Sequence, residues 1–101
     1  MNKVTVLYNH PTDPETFEKY YAETHIPMAL KIKNLTHAEF TKFIDAPGAK
    51  AAYYRMAELC FKTADDMQAA LASPEGQAAA NDLGVFATGG VSFLLGSYET
   101  S

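Results

Sequence analysis

The chain has 101 residues, a net charge of −4 at pH 7 and 48% hydrophobic residues. This length suits one domain, residues 1–101, and the composition excludes a disordered or low-complexity chain. An acidic chain without a basic cluster is poorly suited to bind nucleic acid, because phosphate contacts require clustered Lys and Arg. No apolar stretch approaches the ~20 residues that span a membrane, and the alternating residues 3–6 are unlike a signal peptide.

The residue types give little support for a metal site or a redox centre. Cys60 is the only cysteine, so the chain forms no internal disulfide, and we expect a cytoplasmic protein. Its position between Leu59 and Phe61 predicts a buried structural thiol. The three histidines lack the spacing of metal ligands, so we expect no metal site. No residue supplies a redox centre, and we expect no bound cofactor.

The first predicted elements are a strand and a helix. Alternating polar and apolar residues predict a strand over 3–9, with Tyr8 on its apolar face. Asp13 followed by Pro14 is typical of a helix N-terminus, because Asp accepts from free amides and Pro has none to satisfy. The helix continues through apolar residues spaced i, i+3, i+4 and i+7, namely Phe17, Tyr20, Tyr21 and Thr24.

Pro27 is expected to interrupt this helix. The residue before a proline is pushed away from the α region, so we predict a break near residues 25–26. A short second helix is then predicted over 27–32, with Asn34 as its stop.

The remaining predicted elements complete a β-α-β-β-α-β order. They are an antiparallel hairpin of strands 35–44 and 53–62, a helix capped at Thr63, its restart at Ser73–Pro74 ending near Asp82, and a strand over 91–99. This order predicts an α+β, ferredoxin-like fold, in which a four-stranded antiparallel sheet carries its helices on one face.

Apolar residues fall on both faces of the predicted sheet, as Phe93 and Leu94 illustrate. One helical layer covers one face only, so we expect a second copy to cover the other in a two-fold homodimer. The alternative is that these are scattered surface apolar residues, which are common.

His25 is the main candidate for chemistry. It follows Tyr21 by one turn, and its ordinary pKa near neutrality suits a general acid or base. Two structural roles compete: a helix C-cap favoured by the helix dipole, or a buried imidazole bonded to a carbonyl. Tyr20 and Tyr21 point about 100° apart, so at most one is expected to share a pocket with His25, and the spacing favours Tyr21. Core packing is the expected role of Tyr20, and His10 and His37 are expected to be exposed or structural.

Residues 17–29, FEKYYAETHIPMA, resemble the signature of the EthD family. That signature pairs an aromatic residue and Tyr-Tyr with Thr/Ser-His-x-Pro. Residues 4–8, 53–61 and 66–71 are similar to its first strand, third strand and second helix.

The resemblance implies a dimeric α/β barrel, in which two ferredoxin-like subunits pack their sheets together. It also implies involvement in ethyl tert-butyl ether degradation alongside an oxidoreductase system. Related families on this fold include cofactor-free monooxygenases, muconolactone isomerases and small decarboxylases or dehydratases. His25 carries over as the functional residue, with Tyr20, Tyr21, Thr24 and Pro27 as its framework.

We therefore expect a small homodimeric enzyme of the EthD type that acts on a small organic or aromatic compound. His25 would transfer a proton or donate a hydrogen bond, and Tyr21, Tyr20, Thr24 and Tyr8 would contact the ligand. Any redox step would need oxygen, a substrate-derived carbanion or a partner protein. Two alternatives remain: a cofactor-free isomerase or lyase with His25 as base, and a non-catalytic dimer that binds a hydrophobic ligand.

Overall fold

A four-stranded antiparallel sheet in the order β2-β3-β1-β4 supports the fold in a computed structural model, which describes residues 1–100. The strands are β1 (Asn2–Tyr8), β2 (His37–Lys42), β3 (Arg55–Phe61) and β4 (Val91–Ser97). The helices are α1 (Pro14–Tyr20), α2 (Ile26–Ala29), α3 (Ala64–Ala72) and α4 (Pro74–Phe86), and a π turn (Tyr21–His25) joins α1 to α2. The predicted α+β, ferredoxin-like order is confirmed. No helix within residues 1–100 is long and apolar enough to cross a membrane.

The core lies between the sheet and the helices. β1 is central, and its residues Val4 and Val6 pair with Leu59 and Ala57 of β3. These four side chains are buried on the helical side of the sheet. Because side chains alternate along a strand, Tyr8 also points to that side, where it is 1% exposed.

Side-chain caps begin three of the helices where the sequence predicts them. Asp13 Oδ1 accepts the amides of Glu15 and Thr16 at 3.2 and 3.4 Å. Thr63 Oγ1 accepts the amide of Asp66 at 3.0 Å, and Ser73 Oγ caps α4 in the same way. Each hydroxyl or carboxylate satisfies a backbone donor that has no partner inside the helix.

The predicted break near residues 25–26 is wrong. His25 and Ile26 keep right-handed helical angles, and the Ile26 amide donates to the carbonyl of Tyr21, five residues back. A π turn therefore replaces the break. The hydrogen-bonded ring of a π turn is wider than that of an α-helix. It accommodates a proline at position 27, which has no backbone N–H to donate to an α-helical hydrogen bond.

The prediction that the last helix ends near Asp82 is also wrong, because α4 continues to Phe86. Phe86 is 6% exposed and packs in the core, and this burial holds the last helical turn in place. The four strands are present, with ends shifted by up to two residues from the predicted bounds.

The edge strand β4 exposes apolar side chains on both faces. Leu94 points away from the helices and is 51% exposed, whereas Phe93 and Leu95 point toward them and are still 45% and 49% exposed. The helical layer therefore stops short of β4. This edge is the largest run of exposed apolar residues in the described strands.

Candidate functional site

His25 and Asp82 form a buried pair at the centre of the candidate site. The two residues are 5% and 8% exposed, and Nδ1 of His25 lies 2.9 Å from Oδ2 of Asp82. His25 ends the π turn, and Asp82 comes from the middle of α4. The imidazole is thus buried, as one of the two structural roles weighed from the sequence requires, but it bonds to a carboxylate and not to a carbonyl.

Burial lowers the pKa of His25 below its ordinary value, and the hydrogen bond and charge of Asp82 oppose this shift. The ring is therefore neutral at pH 7, with Nδ1–H donated to Asp82. Nε2 has no hydrogen-bond partner among residues 1–100, and it is left as the basic atom. A carboxylate in this position fixes the tautomer and stabilises the imidazolium that forms when Nε2 takes a proton.

Tyr20 holds the other oxygen of Asp82. Its hydroxyl donates to Oδ1 at 2.6 Å, and this hydrogen bond raises the pKa of Tyr20. Its ring stacks on Phe86 with centroids 5.3 Å apart. Tyr20 and His25 are five residues apart, and the i→i+5 spacing of the π turn lets both reach one carboxylate.

Tyr21 lies between two charged or ionisable groups. Its ring is stacked on the imidazole of His25 at 5.8 Å and 13°, and the Arg55 guanidinium lies 5.0 Å from its centroid. Tyr20 thus contacts the His25–Asp82 pair through the carboxylate, and Tyr21 contacts it through the imidazole ring.

Arg55 is held in place by Glu18 of α1. Its Nε and Nη2 donate to the two Glu18 oxygens at 2.9 and 2.6 Å, and the Tyr54 hydroxyl also donates to Glu18 at 3.0 Å. These bonds, led by the one from Arg55, lower the pKa of Glu18. A bidentate pair of this kind fixes both position and orientation, so it rigidifies the side of the site behind Tyr21.

An apolar cavity adjoins His25 between the sheet and the helices. About 40 Å³ of it is open to the centres of water molecules, which is room for roughly three of them. His25 and Tyr8 line it beside apolar residues that include Val6, Ile32 and Leu59. The exposed residues Ala80 and Phe93 also line it, and they mark its open side.

The structure brings most, but not all, of the predicted site residues together. Tyr8 lines the cavity, and Tyr20 and Tyr21 surround the His25–Asp82 pair. Tyr20, Tyr21 and Thr24 are not part of the cavity lining, and Thr24 is exposed, so Tyr8 is the one residue of the four expected to contact the ligand that lies at the cavity.

Cys60, His10 and His37 lie outside this site. Cys60 is buried, as predicted. His10 donates from Nε2 to the carbonyl of Ala51 at 2.8 Å, and His37 is exposed beside Glu39. In the part of the chain that the structure describes, no three His, Cys, Asp or Glu side chains cluster in a way that could hold a metal ion.

Asp82 and Phe86 are the site residues that the sequence did not reveal. A signal was present, because residues 79, 82, 83 and 86 follow the spacing of one helix face and Asp82 is the only charged member. A charge on an otherwise apolar helix face requires a buried partner. Phe86 lies 4.6 Å from the His25 ring and packs against both Tyr20 and Tyr21.

Two distant structures share this fold. A dimeric ferredoxin-like protein from Thermobifida fusca has a TM-score of 0.71 at 14% identity, covering 96% of this chain and 90% of that one. A mutant of SnoaB, a cofactor-independent oxygenase from Streptomyces nogalater, has a TM-score of 0.67 at 18% identity, with 99% and 93% coverage. At these identities the likeness concerns the fold alone.

Closer similarities define the family. An uncharacterized 11.0 kDa protein in the thcB-thcC intergenic region of Rhodococcus erythropolis is 38% identical over 100 residues, which are 99% of this chain and 97% of that protein. The crystal structure of an EthD family protein from Bacillus halodurans has a TM-score of 0.92 at 28% identity, covering 98% of this chain and 99% of that one. The family model of the EthD domain matches residues 9–90, and the chain therefore belongs to the EthD family.

Proposed function

We propose that this EthD protein is a homodimeric, oxidoreductase-associated enzyme of catabolism, in which His25 transfers a proton on a small organic or aromatic compound. One observation carries the proposal: the imidazole is buried, is held at Nδ1 by Asp82 at 2.9 Å, and borders an apolar cavity. A neutral imidazole in this arrangement is a base, and its conjugate acid is stabilised by the carboxylate behind it.

The size of the cavity limits what reacts there. Room for roughly three water molecules admits a head group of a few non-hydrogen atoms, and the rest of a larger ligand projects past Ala80 and Phe93. The lining is mainly apolar, so a charged head group would lose its hydration without compensation. A neutral organic compound fits this environment best.

Proton removal from carbon is the step that His25 and Asp82 are suited to perform. The resulting carbanion returns the proton at another position in an isomerase, loses a leaving group in a lyase, or reacts with dioxygen in an oxygenase. The fold neighbour SnoaB is described as a cofactor-independent oxygenase. The test therefore also measures the reaction with dioxygen.

The homodimer is supported by an exposed apolar residue of β4. Leu94 is about half exposed on the sheet face that the helices leave open, and a second copy packed on that face would remove it from water. Fold neighbours described as dimeric agree with this arrangement.

The test follows proton exchange and oxygen consumption together. Purified protein is incubated in D₂O with acetone, butan-2-one, cyclopentanone or phenol. NMR measures exchange of carbon-bound hydrogen, and an electrode measures dioxygen. We expect exchange with at least one compound, and a loss of about 100-fold or more in His25→Gln. His37→Gln is the matched control, because His37 is exposed and lies outside the site.

Each outcome assigns a class. Exchange without oxygen uptake indicates an isomerase or lyase, and uptake that depends on His25 indicates an oxygenase. Full exchange in His25→Gln would overturn the proposal. Binding without either reaction would identify a non-catalytic hydrophobic-ligand dimer.

A further inference from the structure

Two buried tyrosine hydroxyls have no hydrogen-bond partner in the part of the chain that the structure describes. Tyr8 and Tyr21 are each 1% exposed, and across residues 1–100 neither hydroxyl is hydrogen-bonded. Their rings meet edge to face with centroids 5.4 Å apart. The hydroxyls are close enough to affect each other's pKa, but they do not reach hydrogen-bond geometry.

Such hydroxyls call for an explanation, because a buried unsatisfied donor costs free energy that phenylalanine would avoid. Phe17 packs against both tyrosines, so a phenyl ring is tolerated in this cluster. A donor hydroxyl kept at this cost beside a cavity is suited to bind a ligand acceptor.

Tyr8 lines the same cavity as His25, whereas Tyr21 is not part of the cavity lining. Burial is the main cause that raises the pKa of Tyr8, and burial likewise raises the pKa of Tyr21 to about 12. Both hydroxyls are therefore protonated donors at neutral pH. The Arg55 guanidinium stacks on Tyr21, although its bidentate bond to Glu18 offsets part of its charge.

We propose that Tyr8 donates a hydrogen bond to a carbonyl oxygen of the substrate, so that the site takes small enolisable carbonyl compounds. This inference rests on the proposed proton transfer by His25 and names its substrate class. The geometry that carries it is one apolar cavity lined by both His25 and Tyr8, a tyrosine whose buried hydroxyl has no hydrogen-bond partner among residues 1–100.

The electron flow is balanced without an oxidant. Nε2 of His25 takes a proton from the carbon next to the carbonyl, and the C–H electron pair becomes a C=C bond. The π pair of the C=O bond moves to oxygen, which accepts the hydrogen bond from Tyr8 as an enolate. Return of the proton from His25, to the same carbon or to a conjugated one, regenerates the carbonyl compound or its isomer. Donors placed at a developing oxyanion are among the largest contributors to such rates.

The first experiment compares two ligands of equal shape. Cyclopentanone has the carbonyl oxygen, and methylenecyclopentane replaces it by CH₂. We expect the wild-type protein to bind the ketone more tightly, and its C=O stretching frequency to fall in the complex. Equal affinities with an unshifted frequency would overturn the proposal and would indicate that Tyr8 is satisfied by a bound water only.

The second experiment uses variants. Tyr8→Phe should lose about fivefold to tenfold in ketone affinity but none in alkene affinity, and its proton exchange should fall by about 100-fold or more. Tyr53→Phe, which removes a hydroxyl outside the cavity lining, is the control. A frequency shift that persists in Tyr8→Phe would contradict the assignment.

These experiments distinguish a failure of the proton-transfer role of His25 from a failure of the carbonyl-binding role of Tyr8. His25→Gln should keep the frequency shift while losing exchange, because the carbonyl contact does not involve the base. If exchange survives in His25→Gln but the shift depends on Tyr8, the proton-transfer role fails and the carbonyl site stands. Should Tyr8→Phe not fold, the comparison of ketone with alkene in the wild-type protein still decides.

Discussion

Nδ1 of His25 and Oδ2 of Asp82 lie 2.9 Å apart although 57 residues separate them in the chain. The same carboxylate accepts from the Tyr20 hydroxyl at 2.6 Å, so one side chain of α4 organises two residues around the π turn. Both its oxygens are engaged, which holds Asp82 in one orientation. A carboxylate that cannot rotate keeps the imidazole in a single tautomer, in which Nε2 is the basic atom.

Asp82→Asn should lower the pKa of His25 further, because Asp82 raises it through a hydrogen bond and its charge. NMR titration of the His25 ring measures this shift directly. Proton exchange should fall by about 100-fold or more, since the amide no longer stabilises the imidazolium. Asp65→Asn, which changes an exposed acid in the first turn of α3, is the matched control. A rise in the pKa of His25 would contradict the assigned role of Asp82.

The stability of the protein should decrease on mild acidification because His25 is buried as the neutral form. The pKa of His25 is lower in the folded state than its unfolded value of about 6.5. Below that pH the unfolded chain binds a proton that the folded chain does not, so this contribution is complete above about pH 6.5. As the pH falls from about 6.5 to the pKa of His25 in the folded state, the free energy of unfolding decreases by up to about 1.4 kcal/mol per pH unit.

Urea unfolding at several pH values between 7.5 and 5 tests this dependence. The wild-type protein should lose more stability on acidification than His25→Gln, and His37→Gln should behave as wild type because His37 is exposed. If acidification stabilises the wild-type protein relative to His25→Gln, the histidine is not buried as the neutral base.

Two glycines of α4 should respond oppositely to alanine. A Cβ at Gly76 would clash with the carbonyl oxygen of Ala70, whereas a Cβ at Gly84 would meet nothing within 4 Å apart from its chain neighbours and the backbone of its own helix. Gly76→Ala should therefore lower the free energy of unfolding by about 1–3 kcal/mol. Gly84→Ala should raise it by up to about 1 kcal/mol through helix propensity. Urea unfolding of the pair measures both, and similar effects would show that α3 and α4 pack less closely than described.

Leu94→Asp should convert a dimer into monomers. Leu94 is 51% exposed on β4, and a carboxylate placed there would be desolvated by a second copy packed on this strand. Light scattering coupled to size exclusion measures the mass of each variant. Val85→Asp, at a 64% exposed position of α4, is the control and should remain dimeric. A monomeric wild-type protein, or a dimeric Leu94→Asp variant, would remove β4 as the interface.

The features that could be predicted from the sequence depend on residues close together in the chain. The Asp13, Thr63 and Ser73 caps each bind an amide three residues ahead or nearer, so their chemistry is complete within one turn. Strand alternation and the order of elements are local in the same sense, and the predicted fold class followed from them. The Tyr-Tyr-x-x-Thr-His-x-Pro stretch carried the resemblance to the EthD family, which the family model confirms.

The tertiary structure decided the rest because it depends on how the helices pack. Only the approach of α4 to the π turn brings Asp82 to His25, and no local pattern encodes a contact across 57 residues. A proline at position 27 of a helical segment can be accommodated locally in two ways, by a break in the helix or by a wider turn. Packing of His25 and Tyr21 against Phe86 favours the turn, since a break would expose these rings. The packing of the helices on the sheet likewise leaves Thr24 in solvent and places Tyr8 in the cavity lining.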